Sequence, residues 1–442
     1  MSEFRVDIRK IDKIWTHDNA DALQLASVNG LDYQFVVVSN RFRVGDLVLY
    51  FPTEAILPEP VIKTMGLEGR LSGGAKNRIK TVRLRGEISQ GIVTHVHDIF
   101  PDASAVKDIE TGELINISCE SEYDFAPILG VNKYEPAEVG ANLGGGSGRH
   151  VSLPREVRIY DLESIQRYSS LVGEHKDSVW LFMEKLEGTH IAVFYNLDSI
   201  SKGVCSRRQQ IIDNEQDTYH GKNEDGVNVY TEAAEKQLYD ALDSVVTVLL
   251  EDTSFSHIKP LHTVILRGEL IGQGIQCGEP AKCYGLKDHT VKLFEIEVDS
   301  KPISAKDFIC MQQTVGLSVA PVITVSTISE FLEIYKIPVE SFDDFVLEPF
   351  AEVPEASFQT HEEYVEINNK LRDGHADRMR VKYDGKRYAK ALLQASNRPS
   401  VLNSTYPAEG IVMRLFENNT ADRGKPLVLK VKSPDYLAKS KG

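Results

Sequence analysis

Cysteine is scarce in this chain. Five occur in 442 residues, at Cys119, Cys205, Cys277, Cys283 and Cys310. An odd number at scattered spacing builds no disulfide framework, so we expect a reducing, intracellular and most simply cytoplasmic setting. Long apolar runs are missing too. The longest, around 245–250, is far shorter than the ~20 residues a membrane span requires, so no membrane partner is expected. The opening Met1-Ser-Glu-Phe-Arg has no apolar core of the kind a secretion signal needs. Positive charge is in deficit, with 50 lysines and arginines against 65 acidic residues and a net charge of −15. That excludes a general polyanion-binding surface. Any nucleic-acid contact must concentrate its cations locally. The stretch Ala141-Asn-Leu-Gly-Gly-Gly-Ser-Gly148 is glycine-rich but lacks the Gly-Lys-Ser/Thr ending of a phosphate loop, so it reads as a linker. Cys277-x5-Cys283-x5-His289 matches none of the common structural zinc spacings and lacks a fourth ligand.

The length allows two or three domains with full cores. From Phe4 to Ile99 the texture is β-rich. Val37-Val38, Val44-Gly-Asp-Leu-Val-Leu-Tyr-Phe51 and Gly91-Ile-Val-Thr-His-Val96 are short strand-forming runs separated by turn residues, which suggests a small barrel. The local concentration of cations lies here, in Lys76-Asn-Arg-Ile-Lys-Thr-Val-Arg-Leu-Arg85. On a strand, Lys76, Arg78 and Lys80 would share one face, suited to nucleic acid or simply to solvent. Residues 98–134 look irregular and acidic. We therefore expect an OB-like β-barrel domain with an irregular extension over 1–138, a glycine-rich linker over 139–155, and a mixed domain over 156–442. In the last, 179–184, 191–195, 264–271, 291–298 and 427–432 read as strands. Leu238, Leu242, Val245, Val246 and Leu249 recur at helical spacing, and Ser304-Ala-Lys-Asp307 resembles a helix cap. Residues 341–380 are acidic, then mixed and helical, with no chemistry of their own. The fold class is α+β.

The informative constellation begins at Glu184-Lys185-Leu186-Glu187-Gly188-Thr189. A lysine between a strand and a glycine turn is well placed as a nucleophile, though a surface lysine on a hairpin turn would look the same. Further elements follow in order on expected strands: Cys205-Ser206-Arg207-Arg208, Leu266-Arg267-Gly268-Glu269-Leu270-Ile271-Gly272, Lys292-Leu293-Phe294-Glu295-Ile296, Glu409-Gly410-Ile411-Val412-Met413-Arg414 and Lys430-Val431-Lys432. The tetrapeptide Leu84-Arg85-Gly86-Glu87 repeats Leu266-Arg267-Gly268-Glu269 but lies in the expected barrel, where it reads as strand and turn, with Arg85 available to nucleic acid.

This ordered series resembles motifs I, Ia, III, IIIa, IV and V of the covalent nucleotidyltransferases, the superfamily of polynucleotide ligases and capping enzymes. The resemblance covers most of residues 180–432 and implies an ATP-grasp-like ligase domain of antiparallel sheets flanked by helices. It implies that Lys185 attacks the α-phosphate of ATP, with Lys430 and Lys432 neutralising charge there. Glu184, Arg207, Glu269 and Phe294 would also hold the nucleotide, Phe294 by stacking on the purine. Glu187, Glu269 and Glu409 would hold Mg2+ or Mn2+ through its bound water. Relatives usually carry aspartate where this chain has Glu187, and many carry arginine where it has His190, which is assigned no role.

A free lysine is protonated at neutral pH, so we expect neighbouring cations, Lys430 and Lys432 included, to disfavour its charged form. Ligases of DNA and capping enzymes place their OB domain after motif V, whereas this chain ends at Gly442 and its barrel comes first. That order resembles the fifth family of RNA ligases. The segment from Trp15 to Leu25 with Val44-Gly-Asp-Leu-Val48 resembles the start of that module, and also the tRNA-binding OB domains of synthetase-associated proteins. The resemblance implies an ATP-dependent RNA ligase for RNA repair. It would join 3′-hydroxyl and 5′-phosphate ends of nicked or broken RNA, with DNA conceivable on one side of the nick, and act as a monomer. The alternatives are a GTP-dependent capping-type guanylyltransferase, or a non-catalytic RNA-binding protein with a ligase-like domain.

Overall fold

The computed structural model of the protein describes residues 4–135, 152–211, 228–275, 284–340, 350, 352–354, 357, 360–417 and 427–439. The glycine cluster at 141–148, most of the expected linker, Cys277 and Cys283 lie outside the described residues.

Strands β1 (Asp7–Thr16), β2 (Leu23–Val28), β3 (Leu31–Val38), β4 (Leu47–Phe51) and β5 (Ile92–His95) form one antiparallel sheet in the order β3-β2-β1-β4-β5. The first half of β1 pairs with β4, setting Asp7 opposite Tyr50. Its second half pairs with β2, setting Thr16 opposite Gln24. A bulge between Ile11 and Lys13 marks the change of partner, and such a bulge adds twist. One strand shared in this way curls the sheet into a half-barrel, where the sequence suggested a small OB-like barrel. Its two faces carry separate cores, one around Ile8, Leu49 and Phe51, the other around Ile11, Phe35 and Val48.

The basic run departs from expectation. Residues 76–81 form no strand. Lys76 sits in a left-handed turn, and Arg78 exchanges backbone hydrogen bonds with Ser72 at 2.9 and 3.0 Å. The Arg78 side chain pairs with Glu54 and lies over the Tyr134 ring, so it is not part of a solvated basic face. Leu84-Arg85-Gly86-Glu87 spans a hairpin turn, with Arg85 at φ 48° and Gly86 at φ 102°.

The second region holds two sheets. The first is built on β6 (Trp180–Lys185), β11 (Val322–Ser326), β12 (Gly410–Leu415) and β13 (Val428–Lys432), with Glu163–Ser164 added in parallel to β13. The other is built on β7 (Thr189–Asn196), β8 (Ser201–Cys205), β9 (Thr263–Ile271) and β10 (Thr290–Val298). The turn after Lys185 therefore does not close a hairpin. It carries the chain from one sheet to the other.

Helices fill the outer layers. They include α1 (Ser169–Glu174), α2 (Tyr239–Glu251), α3 (Ala305–Val315), α4 (His361–Ala395) and α5 (Pro434–Lys439). The expected apolar stripe of α2 is buried at Leu242, Val245, Val246 and Leu249 against the six-stranded sheet. Leu238 lies in a π turn just before it. Ser304 caps α3 by accepting the Asp307 N–H at 2.9 Å. The five-stranded sheet packs on α4 through Tyr388, Ala389 and Leu392.

Where α1 crosses α4, glycines meet. A Cβ on Gly385 would lie 2.1 Å from the Ser169 carbonyl oxygen, and one on Gly173 would lie 2.0 Å from that of Val381. Alanine in a helix interior normally gains ~1 kcal/mol over glycine. Here the contact is with backbone, so the helices must part. Gly385→Ala is expected to lose about 1–3 kcal/mol or more, read as a lower melting temperature. An unchanged or raised midpoint would show that the crossing can open freely.

Candidate active site

Strand register assembles the site. Lys185 pairs with Gly410, and Gly410 pairs with Lys432 on its other side. This cross-section sets Glu409 beside both lysines. Lys185 Nζ donates to Glu409 Oε2 at 2.8 Å, and Lys432 Nζ lies 3.4 Å from Glu409 Oε1. Lys430 and Lys432 alternate with the buried Leu429 and Val431, so they share a face as expected. In the other sheet His190 pairs with Glu269. Gly188 lets the two strands meet: a Cβ there would lie 2.5 Å from the Leu270 carbonyl oxygen and 2.7 Å from Glu269 Cγ. The Gly188 N–H also bonds the Glu269 carboxylate.

A cavity of about 560 Å³ opens between the sheets and beneath the N-terminal domain, with Lys185, Glu269, His190, Phe294, Lys430 and Lys432 among its lining. Phe294 is not a core residue. The pairing of β9 with β10 slips between Arg267 and Gly268, leaving Phe294 as the extra residue of a bulge. Its ring turns into the cavity beside Tyr160, with centroids 5.1 Å apart. His190 completes the cluster, stacked on Tyr160 at 5.8 Å and 6.0 Å from Phe294. Burial, helped by Arg267 and Arg207, pushes the His190 imidazole down to about 3, so it is neutral. Neither of its ring nitrogens has a hydrogen-bond partner.

The electrostatics reverse one expectation. Burial would strip the proton from Lys185, but Glu409, Glu269 and Glu187 outweigh it and raise the amine above its ordinary range. The neighbouring lysines do not prevail: Glu409, bonded to the amine at 2.8 Å, leads the groups that hold its proton. Burial lowers Lys430 instead, to about 8, against the pull of Asp161. Burial pushes Glu269 up to about 7, with Lys185 opposing, and raises Glu187 as well.

Against the effect of burial, Lys185 and Lys432 hold the Glu409 carboxyl below its ordinary range, while Glu187 and Glu269 are partly buried carboxylates that a hard divalent cation would suit. Among the described residues no three acidic, cysteine or histidine side chains converge closely enough to hold an ion directly. The fit is to a cation that keeps its water. The longer Glu187 is held at both ends: its N–H donates to the Tyr284 hydroxyl at 2.6 Å, and its carboxylate takes a hydrogen bond from Tyr436.

Glu184 is among the residues lining the cavity, with its carboxylate turned away from it. It points to the opposite face of β6 from Lys185. Its carboxylate is occupied by the Val401 N–H at 2.6 Å, Ser400 Oγ at 2.5 Å and Arg398 at 3.3 Å. It supports the strand that presents the lysine. Arg207 does reach the cavity, 3.1 Å from Asp161, with its Nε donating to the Tyr160 carbonyl at 3.3 Å. Tyr160, Asp161, Tyr284 and Tyr436 were missed by sequence reasoning. Tyr160, Asp161 and Tyr284 lie beside no recognisable motif, and Tyr436 falls just past the last one.

Residues 178–432 match the RNA ligase family, and residues 5–96 match an OB-fold domain family. No curated protein matches the chain. Among solved structures, the Naegleria gruberi RNA ligase with PPi is similar at 20% identity and a TM-score of 0.62, over 99% of each chain. A mutant of that ligase with ATP and Mn gives 19% identity and a TM-score of 0.62, over 99% of each. An apo mutant gives 18% and 0.63, over 100% of this chain and 99% of the other. Among the described residues no helix is long and apolar enough to cross a membrane.

Proposed function

This chain belongs to the RNA ligase family, and from that premise we propose that it seals RNA 3′-hydroxyl to 5′-phosphate ends with ATP, through an AMP carried on Lys185. One observation carries the reading: a partly buried lysine amine stands at the junction of the two sheets, bonded to Glu409 at 2.8 Å, with Lys432 on the same carboxylate. The likeness to ligase structures with ATP and Mn supports the choice of nucleotide and metal class.

In the first step the deprotonated Lys185 amine attacks the α-phosphate in line, forming a P–N bond as pyrophosphate leaves. Lys430 and Lys432 take up the charge on the α-phosphate oxygens. Phe294, with Tyr160 and His190, forms an aromatic wall that suits a purine. Glu187, Glu269 and Glu409 would hold Mg2+ or Mn2+ through its water, and the cation would supply neutralisation of phosphate charge. In the second step an oxygen of the RNA 5′-phosphate displaces the lysine from AMP. In the third the 3′-hydroxyl attacks the activated phosphate and AMP departs.

The proposed division keeps chemistry in 156–442 and gives the barrel of 1–138 a role in RNA placement. The strand on one side of the nick could be DNA. We take the enzyme to be monomeric and cytoplasmic, in keeping with the free thiols of Cys119, Cys205 and Cys310.

The test is incubation of the full chain with α-labelled ATP or GTP and Mg2+ or Mn2+. Label from ATP on the protein, transferable to a 5′-phosphate RNA end, is the expected result. Label from GTP alone would make the chain a capping-type enzyme, and label from neither would leave an RNA-binding protein.

A further inference from the structure

The segment just ahead of α1 crosses the cavity and is stitched to three other parts of the chain. Glu163 and Ser164 pair in parallel with Leu429 and Lys430. Gln166 accepts the Asp32 N–H at 2.8 Å through its carbonyl, and its side chain meets Gln90. Both of those partners are in the N-terminal domain. At the middle of the segment stands Asp161, its side chain 10% exposed.

Three cations from separate places converge on this one carboxylate. Lys430 Nζ lies 3.3 Å away, Arg207 Nη2 3.1 Å and Lys133 Nζ 3.5 Å. Lys430 belongs to the last strand of the catalytic sheet and Arg207 follows β8. Lys133 sits on a two-residue strand paired with Ala55 and Ile56 of the N-terminal domain. All four groups line the same cavity as Lys185.

A carboxylate taken out of water needs well-placed partners to offset its lost hydration, and this one draws them from three separate elements. It holds these cations in the lining of the cavity, and pre-set charge of this kind is what phosphoryl transfer demands.

We infer that Asp161 is a positioning residue for nucleotidyl transfer, aiming Lys430 and Arg207 at the α-phosphate and tying the N-terminal domain to that step through Lys133. The inference rests on the ligase reading above. It gives the barrel a part in attaching AMP, beyond placing RNA.

The charged groups facing Lys430 are Asp161 from this segment, Lys432 from its own strand and Lys185 from β6. Burial and the two lysines drive its proton off, and Asp161 holds it on. Lys430 serves the reaction as a cation. Removing the Asp161 charge lowers its pKa, so the alkaline limb of AMP attachment must move to lower pH.

The experiment uses the full chain with Asp161→Asn, Asp161→Glu and Lys133→Met. Label transfer from α-labelled ATP is followed from about pH 6 to 9, with sealing of RNA ends already carrying AMP as the second assay. Wild-type labelling comes first, since its failure overturns the ligase reading itself. With wild type active, Asp161→Asn is expected to shift the alkaline limb down by about one pH unit, a deficit that grows toward ~10-fold on the alkaline side. Asp161→Glu keeps the limb in place. Lys133→Met lowers labelling more than it lowers sealing of adenylated ends.

A deficit equal at every pH, an unmoved limb, or an equal loss in both assays overturns the role of Asp161. Unchanged labelling in Lys133→Met overturns the link to the N-terminal domain.

Discussion

Changing Lys185 to alanine is expected to abolish AMP attachment, and with it the joining of 5′-phosphate ends, while ends supplied already adenylated are still joined. Loss of a covalent nucleophile typically costs on the order of 10⁴–10⁶ in rate, and no other lysine can substitute. Lys432 lies on the same Glu409 carboxylate, 3.4 Å away, but it issues from a different strand and faces the lysine rather than taking its place. Alanine also removes a partly buried cation from beside Glu409, Glu269 and Glu187, so a loss of label alone would not separate a missing nucleophile from a disordered pocket. Lys185→Arg separates the two causes. Arginine keeps a cation against Glu409 but offers no nucleophilic amine. It should lose the label as completely as alanine, with a melting temperature closer to wild type. Persistent label in either variant would mean that the attacking group is elsewhere.

The amine's charge state gives this result its sharper form. In the structure Lys185 is stored as an ammonium, held by Glu409 first among the carboxylates. The same carboxylates that steady the nucleophile must release it before attack. A cation drawn to Glu187, Glu269 and Glu409 would weaken their hold on the proton, which makes their shared position with the lysine intelligible. The departure from aspartate at Glu187 is absorbed locally. Tyr436, one turn after Lys432, and Tyr284 engage the longer residue from both ends.

How much of this was legible can be judged from particular residues. The strands bearing Lys185, Glu269, Phe294, Glu409 and Lys430 announce themselves by apolar runs with polar interruptions, because a buried strand tolerates a charged residue only where it does something. Arg267 and Arg414 fall inside the same quoted elements, yet they are structural. Each is 1% exposed and bonds to the backbone or side chains of neighbouring elements. Nothing in a linear string separates a charge that faces a ligand from one that faces another strand.

Leu-Arg-Gly-Glu makes the same point, since it forms a tight turn at 84–87 and an extended strand at 266–269. The alternation of Lys76, Arg78 and Lys80 looked like a strand face, but Gly73 and Gly74 just before it open a loop that folds back on itself. Asp161 was invisible for a different reason. Its importance lies entirely in the three distant cations it gathers, and none of them is near it in sequence.

Arg414→Met is expected to give the largest loss of stability, about 3–5 kcal/mol, the usual cost of breaking a buried charged network by removing one member. Arg414 stands on β12, in the five-stranded sheet, and reaches across to the other. Its Nη1 donates to the Phe294 carbonyl at 2.8 Å and its Nη2 to the Ile303 carbonyl at 3.2 Å, with Glu295 3.9 Å away. Methionine would fill much of the volume but leave both carbonyls buried without a donor. Since Phe294 is the bulge residue of β10, the aromatic wall of the cavity would loosen along with the clasp.

Glu295 limits the damage. Burial already pushes its carboxyl up, with Arg414 pulling it down, so without the arginine it stays protonated to still higher pH rather than standing as a bare buried charge. The sign follows. A carboxyl whose folded pKa rises further costs additional stability only where the wild-type group can ionise and the variant's cannot, so the deficit should deepen on the alkaline side. Adding Glu295→Gln should remove that pH dependence while leaving the carbonyls unpaired. Denaturant unfolding followed through Trp180, fully buried in the five-stranded sheet, reads these changes directly. A midpoint equal to wild type in Arg414→Met would show that the two sheets are held together by their apolar cores and owe nothing to this arginine.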